Sequence, residues 1–282
     1  MASLLEMREI DADPVTADIY TDIRASSALP QVNLIYRHLA TLPGALPAIW
    51  NAIRPWMRSA AADEAIAPLL TASFGVDAMR TAELARVDAV AVLNLLSVYG
   101  RGNALNLIAL SGVRRRLENP ALPPGSAPKE RGAVPHIPRI PSLPRLDALP
   151  LGTRTLVAGL AALHDAAQRG VTPSLYLHLA HWPGLLPSVE RRIESYVRQG
   201  GLASDRASIV AATAAFGIEG APDTLRPLPP SVRDQALSAI VLFTTSVIPD
   251  LVAVGRLLTG AVSRGVTPDL PSAALATARE AP

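Results

Sequence analysis

An internal repeat constrains the fold of this chain more than any other feature. Segment 36–58 matches segment 176–198 without a gap, at a constant spacing of 140 positions. The identical pairs are Tyr36/Tyr176, His38/His178, Leu39/Leu179, Ala40/Ala180, Pro43/Pro183, Gly44/Gly184, Leu46/Leu186, Pro47/Pro187, Ile53/Ile193 and Arg58/Arg198. A repeat of this length indicates two supersecondary modules with the same plan rather than a solenoid of short units.

A proline-rich segment separates the two copies. Prolines prevent helix continuation and favour extended backbone, so residues 119–150 are predicted to be a linker. The sequence therefore predicts a first helical repeat over 1–118 and a second over 151–282. Two such repeats are expected to pack face to face as a pseudo-dimer, with a cleft near the internal axis. The linker is expected to wrap across the fold and to join the distal ends of the halves.

The composition favours an all-α fold. Hydrophobic residues make up 49% of the chain but aromatic residues only 4%. Alanine and leucine dominate, and these residues have the highest helix propensities. The segment YGRGN at 99–103 contains two glycines and predicts a break that exposes Arg101 and Asn103. The apolar run 236–248 is predicted to be a buried core helix, too short to span a bilayer.

Charge, cysteine content and motifs exclude several functional classes. The chain carries 26 basic and 24 acidic residues, a balance that does not favour nucleic acid as a partner. The absence of cysteine excludes disulfides, thiolate catalysis and zinc–thiolate sites. No metal-ligand pattern, phosphate loop or dinucleotide fingerprint is present, so we expect no metal and no cofactor. The first residues lack the features of a secretory signal, and we expect a cytoplasmic protein with no membrane partner.

Polar side chains within apolar helices are the best indication of a site. A buried polar group needs a partner, so a cluster of such groups would line a wet cavity or join helices. These residues are Asn33, Arg37, Asn94, Asn103, Asn106, Thr244, Thr245 and Asp250. The duplicated histidines His38 and His178 are interpreted as doing the same structural job in both halves.

The repeated segments resemble the group I 2-haloacid dehalogenases. The resemblance covers nearly the whole chain, in order: IYTDIR, VNLIYRHLATLPGALPAIW, VYGRGN, the linker, SLYLHLAHWPGLLPSV and VIPDL. The family is all-helical, with two related halves joined by a long linker. In it an aspartate activates a water that displaces halide directly from the α-carbon of a 2-haloacid. The resemblance places that aspartate at Leu175, and a leucine cannot accept a proton.

Three residues were considered as substitutes for the missing base: Asp165, Asp250 and His178. The resemblance also predicts a substrate pocket made of Gln31, Leu34, Arg101, Asn103, Pro173, Ser174, Leu175, Thr244, Ile248 and Leu251. Within it, Arg101 is the expected partner of a small carboxylate, since guanidinium matches carboxylate geometry.

Three functions stay open at this point. The first is hydrolytic dehalogenation of a small 2-haloalkanoic acid in the cleft between the repeats. The second is a catalytically inactive relative that binds small carboxylates, and the third is a structural protein whose cleft is filled by leucine and isoleucine side chains. The chain is expected to be a monomer with an internal pseudo-dimer, or a homodimer.

Overall fold

A computed structural model describes residues 4–71, 79, 88–122, 128–132, 136, 138–165, 167, 170–216 and 224–266. These residues form helices joined by short loops. The only β pairing in these ranges is an isolated bridge between Ser59 and Glu130. The all-α prediction is confirmed.

The helices are numbered here in chain order. They are α1 (Pro14–Ser27), α2 (Leu34–Leu39), α3 (Ala45–Met57), α4 (Ala60–Leu70), α5 (Ala89–Glu118), α6 (Leu151–Ala162), α7 (Ser174–Leu179), α8 (Leu186–Arg198), α9 (Gly201–Ala214), α10 (Pro230–Leu242) and α11 (Ile248–Val266). A five-residue π-helix, Phe243–Val247, joins α10 to α11.

Side-chain caps fix several helix starts. The side chains of Asp13, Ser59 and Asp88 accept backbone N–H groups from the first turns of α1, α4 and α5. Each cap satisfies a donor that has no partner within its helix. Local sequence therefore specifies where these elements begin.

The two copies of the repeat form the same pair of elements. In each copy a helix of six residues, α2 or α7, is followed by a turn and a helix of 13 residues, α3 or α8. Tyr36 and Tyr176 are both fully buried within these copies. The pseudo-dimer arrangement and the boundaries at 118 and 150 stay predictions.

The segment YGRGN does not break a helix, contrary to the sequence-based expectation. It lies inside the 30-residue helix α5, and Asn103 is buried. A Cβ on Gly102 would approach Leu29 Cδ1 to 3.0 Å, so this glycine lets the loop before α2 pack closely against α5. The glycines serve packing here rather than helix termination.

Helices α5 and α11 pack against each other through the centre of the protein and join the two halves in one hydrophobic core. The apolar run 236–248 lies within a longer helix than the sequence pattern indicated. Among the described residues, the continuous helix Pro230–Gly265 is long and apolar enough to cross a membrane by length and composition alone. However, 67% of its most apolar window is buried inside the protein, as in a core helix.

The linker touches both halves where the structure describes it. Near its start, Arg131 N–H donates to the carbonyl of Arg58 in the first half. Further on, the carbonyls of Pro141 and Ser142 accept hydrogen bonds from His178 and His181 in the second half. The linker therefore lies along the fold, and it contributes a wall to the site described below.

A buried polar network holds the second half together. Tyr176 donates to His164 Nε2 over 2.6 Å, and His164 Nδ1 donates to Asp250 Oδ2 over 3.0 Å. Arg206 completes the network with two hydrogen bonds to Asp250, of 2.6 and 3.0 Å. Four elements, namely α7, α9, α11 and the turn after α6, are thereby tied to one carboxylate.

The burial of each carboxylate partner of Arg206 should decide how much that partner contributes to the free energy of unfolding. Replacement of Asp250 by alanine leaves half-buried Arg206 and buried His164 without their acceptor, so we expect a loss of about 3–5 kcal/mol in the free energy of unfolding. Asp165 also bonds Arg206, but its side chain is 72% exposed. Asp165→Ala should therefore cost less than about 1 kcal/mol. Urea unfolding of both variants measures this difference, and equal losses would contradict it.

Candidate functional site

A cavity of about 400 Å³ lies between the two copies of the repeat, beside α5. Its wall comes from six places: the N-terminal segment, the first-copy segment before and into α2, the centre of α5, the linker, the second-copy segment at the start of α7, and the π-helix with α11. The polar side chains in the wall are Glu9, Gln31, Asn33, Arg37, Tyr99, Asn103, Ser142, Ser174 and His178. The volume lies within the range typical of small-molecule sites.

The hydroxyl of Tyr99 is the centre of this wall. It donates to His178 Nδ1 over 2.7 Å. Burial raises the pKa of Tyr99, while hydrogen bonds to Gln31 and Ser174 and the positive charge of Arg37 act in the opposite direction. The phenol therefore stays protonated at neutral pH and acts as a donor.

His178 has both ring nitrogens engaged. A carbonyl oxygen only accepts, so the contact of 3.1 Å with Pro141 O places the proton on Nε2. Nδ1 is then the acceptor of the Tyr99 hydroxyl. Burial lowers the pKa of His178 to about 4, and His181 adds to this effect, while the bond to Pro141 opposes it. His178 is therefore a neutral imidazole whose lone pair is already occupied.

Glu9 is the only carboxylate among the described residues of the cavity wall. Its Oε1 accepts the backbone N–H of Val32 over 3.0 Å, and its Oε2 binds the guanidinium of Arg24. Both oxygens are thus used to hold the loop before α2. Glu9 was not identified from the sequence, and its role here is to position the wall.

Two donors of the wall are available to a ligand. The Nδ2 of Asn103 is buried and has no hydrogen-bond partner among the described residues. Arg37 is the only cation in the described wall, and its Nε lies 3.0 Å from Glu6 Oε2. The guanidinium has five N–H donors in all, so donors are left for a ligand. This pairing of a charge and an amide suits a carboxylate.

Seven of the predicted pocket residues line the cavity. They are Gln31, Leu34, Asn103, Pro173, Ser174, Ile248 and Leu251. They come from four separate parts of the chain. Their contact with a substrate stays a prediction.

Arg101, Thr244 and Leu175 do not line the cavity. Arg101 binds Asp63 over 2.8 Å and the carbonyl of Ser27 over 3.2 Å, since its position on α5 faces α1 and α4. The Thr244 hydroxyl donates to Ile240 O within its own helix. Leu175 is fully buried in the hydrophobic core, next to Ser174, which does face the cavity.

The other two proposed substitutes for the base lie outside the cavity wall. Asp165 is exposed and paired with Arg206, and Asp250 is buried with both oxygens bonded to Arg206 or His164. Neither reaches a water in the cavity. In the described part of the chain, no three His, Asp or Glu side chains are grouped as metal ligands.

Several wall residues could not be identified from the sequence. Arg37 was noted only as a polar interruption, and nothing in the sequence distinguished it from Arg101. Ile140, Pro141 and Leu143 come from the linker, whose path a local pattern does not reveal. Phe243 and Val247 line the cavity because they belong to the π-helix, an element that is frequent at functional sites.

Comparisons with known proteins bear on the fold. No protein-family model and no curated protein sequence matches the chain. Solved structures do match it, among them three structures of D-2-haloacid dehalogenases. A mutant in complex with D-2-CPA has 18% identity and a TM-score of 0.78, and covers 94% of this chain and 97% of that one. The structure of a second mutant has 18% identity and a TM-score of 0.79, and the match covers 93% of this chain and 96% of that chain.

The third structure, a complex with L-LA, has 18% identity and a TM-score of 0.80, and covers 93% of this chain and 97% of that chain. The chain has the fold of the D-2-haloacid dehalogenases. The resemblance seen in the sequence segments is thus confirmed at the level of the fold, over nearly the whole length of both chains.

The lowered pKa of His178 predicts a specific pH dependence of stability. In the unfolded chain His178 has a pKa near 6.5, whereas in the folded protein its pKa is about 4. Between these two pH values the unfolded state binds a proton that the folded state does not bind. Since stability rises with pH wherever the unfolded state binds more protons, this contribution is complete above about pH 6.5 and is lost between 6.5 and 4. We expect His178→Gln, which lacks this titration, to lose less stability than the wild type over that interval. Urea unfolding at several pH values tests this, and parallel losses would refute it.

Proposed function

We propose that this protein is a divergent member of the 2-haloacid dehalogenase family that binds a small carboxylic acid in the central cavity without hydrolysing it. The observation that carries the proposal is the buried, unpartnered Nδ2 of Asn103 in a cavity wall whose only described cation is Arg37. A buried donor without a partner is costly, and a ligand oxygen would remove that cost.

The wall around these donors favours a small, partly apolar acid. Leu34, Ile140, Phe243, Val247 and Ile248 provide an apolar surface on several sides. An alkyl chain would be buried against these side chains while its carboxylate meets Arg37 and Asn103. Burial of apolar surface contributes roughly 25 cal/mol per Å², so even a short alkyl group adds to affinity.

The lack of a free base supports binding without hydrolysis. Direct displacement of halide by water requires a group that takes the proton of that water. In the described wall, Glu9 has both oxygens bonded and His178 has its lone pair occupied by Tyr99. General-base assistance typically contributes 10²–10⁴ to a rate, so its loss is severe.

Hydrolytic dehalogenation is the second candidate, and the fold comparisons favour it. The solved structures with the same fold are D-2-haloacid dehalogenases, and two of them are complexes with small molecules. If the reaction occurs here, its proton would have to pass through the Tyr99 hydroxyl to His178 Nδ1. The lowered pKa of His178 makes that acceptor a poor one at neutral pH.

Exchange of one arginine at a time tests the binding proposal. Arg37→Gln should weaken the binding of 2-chloropropionate by about 10- to 100-fold, since a hydrogen bond to a charged group contributes about 1.5–3 kcal/mol. Arg101→Gln is the matched control, because the same change is made outside the cavity wall, and its Kd should equal that of the wild type. Isothermal titration calorimetry measures both. A loss confined to Arg101→Gln, or no binding to the wild type, would overturn the proposal.

A further inference from the structure

We infer that a second anion site lies next to the central cavity and receives another anionic group of the same ligand. This inference rests on the proposed function and extends it from a monoacid to an acid with two anionic ends. The second site is an outer pocket of about 680 Å³. It is bounded by the N-terminal segment, the end of the linker, the start of α6 and the loop before α7.

The outer pocket and the central cavity share a wall. Leu34, Arg37, Leu143 and Ser174 line both. The two spaces therefore adjoin at these four residues, where one ligand would extend from the central cavity into the outer pocket. Arg37 stands at this boundary and faces both spaces.

The rim segments of the outer pocket are held in place by backbone hydrogen bonds. Met7 N–H donates to the carbonyl of Arg37, and Leu4 N–H donates to the carbonyl of Gly170. His38 Nδ1 donates to the carbonyl of Leu5 over 2.7 Å. The fold thus keeps this concavity in shape, between the N-terminal segment and the segments around α2 and before α7.

The outer pocket has an excess of positive side chains. Its wall contains four arginines, namely Arg8, Arg37, Arg145 and Arg154, but only two described carboxylates, Glu6 and Asp147. Positive charges that line a concave surface raise the local concentration of an anionic ligand. The charge of the described wall therefore favours an anion over a cation or a neutral ligand.

Arg154 is the arginine of this wall that is free to bind. Arg8 pairs with Asp11 over 2.5 Å, Arg145 with Asp147 over 2.6 Å, and Arg37 lies 3.0 Å from Glu6. The side chain of Arg154 forms no ion pair or hydrogen bond with any described residue, and it is half-buried at the start of α6. A guanidinium matches either a carboxylate or a phosphate oxygen pair, so the shared chemistry is an anionic group with two coplanar acceptors.

Calorimetry on the whole chain tests the second site with ligands of graded length. Hexanoate, the dicarboxylates from succinate to pimelate, and 4-phosphonobutyrate are titrated into the wild type. At least one doubly anionic ligand should bind about tenfold tighter than hexanoate, as one added charged hydrogen bond allows. Whether a dicarboxylate or 4-phosphonobutyrate binds more tightly shows whether the outer pocket prefers a carboxylate or a phosphonate group. The gain should shrink as salt is added, because Arg154 is only half-buried.

Two variants locate the gain. Arg154→Gln should abolish the gain in affinity and leave the Kd of hexanoate unchanged. Arg198→Gln makes the same change at an exposed position of α8 and should leave the gain and the Kd of hexanoate unchanged. No gain from a second anionic group, or a gain that persists in Arg154→Gln, overturns the inference and leaves the proposed function standing if hexanoate binds. If neither hexanoate nor any doubly anionic ligand binds, both the second site and the proposed function are overturned. If only a doubly anionic ligand binds, and Arg154→Gln abolishes that binding, the second site is supported.

Discussion

The hydrogen bond from Tyr99 to His178 is the interaction on which the site depends. Tyr99 lies on the central helix α5, and its hydroxyl meets Gln31 from the first copy and Ser174 and His178 from the second. His178 in turn holds the linker through the carbonyl of Pro141. The buried phenol of Tyr99 thus connects both copies of the repeat and, through His178, the linker. The cavity exists because these groups are satisfied by one another.

The repeat serves two purposes at once. His38 and His178 both bind a carbonyl of the segment that leads into their own half, Leu5 in one case and Pro141 in the other. They do so through different ring nitrogens, Nδ1 of His38 and Nε2 of His178, so the common structural role that the duplication indicates stays a prediction. Tyr36 and Tyr176, although identical and buried, use different partners, Asn106 and His164. Each copy therefore keeps its scaffold while its polar contacts have diverged, which leaves one asymmetric cavity between them.

Much of the fold could be predicted from the sequence, since periodicity, caps and the repeat are local signals. The matching lengths of α2 and α7 follow directly from the aligned copies. The glycines of YGRGN were misinterpreted because a glycine for close packing and a glycine for helix termination look alike in sequence. The choice between Arg37 and Arg101 depends on which face of its helix each occupies relative to distant elements. The π-helix and the path of the linker likewise depend on tertiary contacts.

The protein has a dehalogenase fold, and the described wall of its cavity offers N–H donors that suit a carboxylate but no free base. Leu175, where the family resemblance places the aspartate, is packed in the core. The most direct test is to incubate the protein with D- and L-2-chloropropionate and to measure bound acid and free chloride in the same samples. We predict that the acid binds and is recovered unchanged. Chloride release that scales with protein concentration and disappears in His178→Ala would contradict this account.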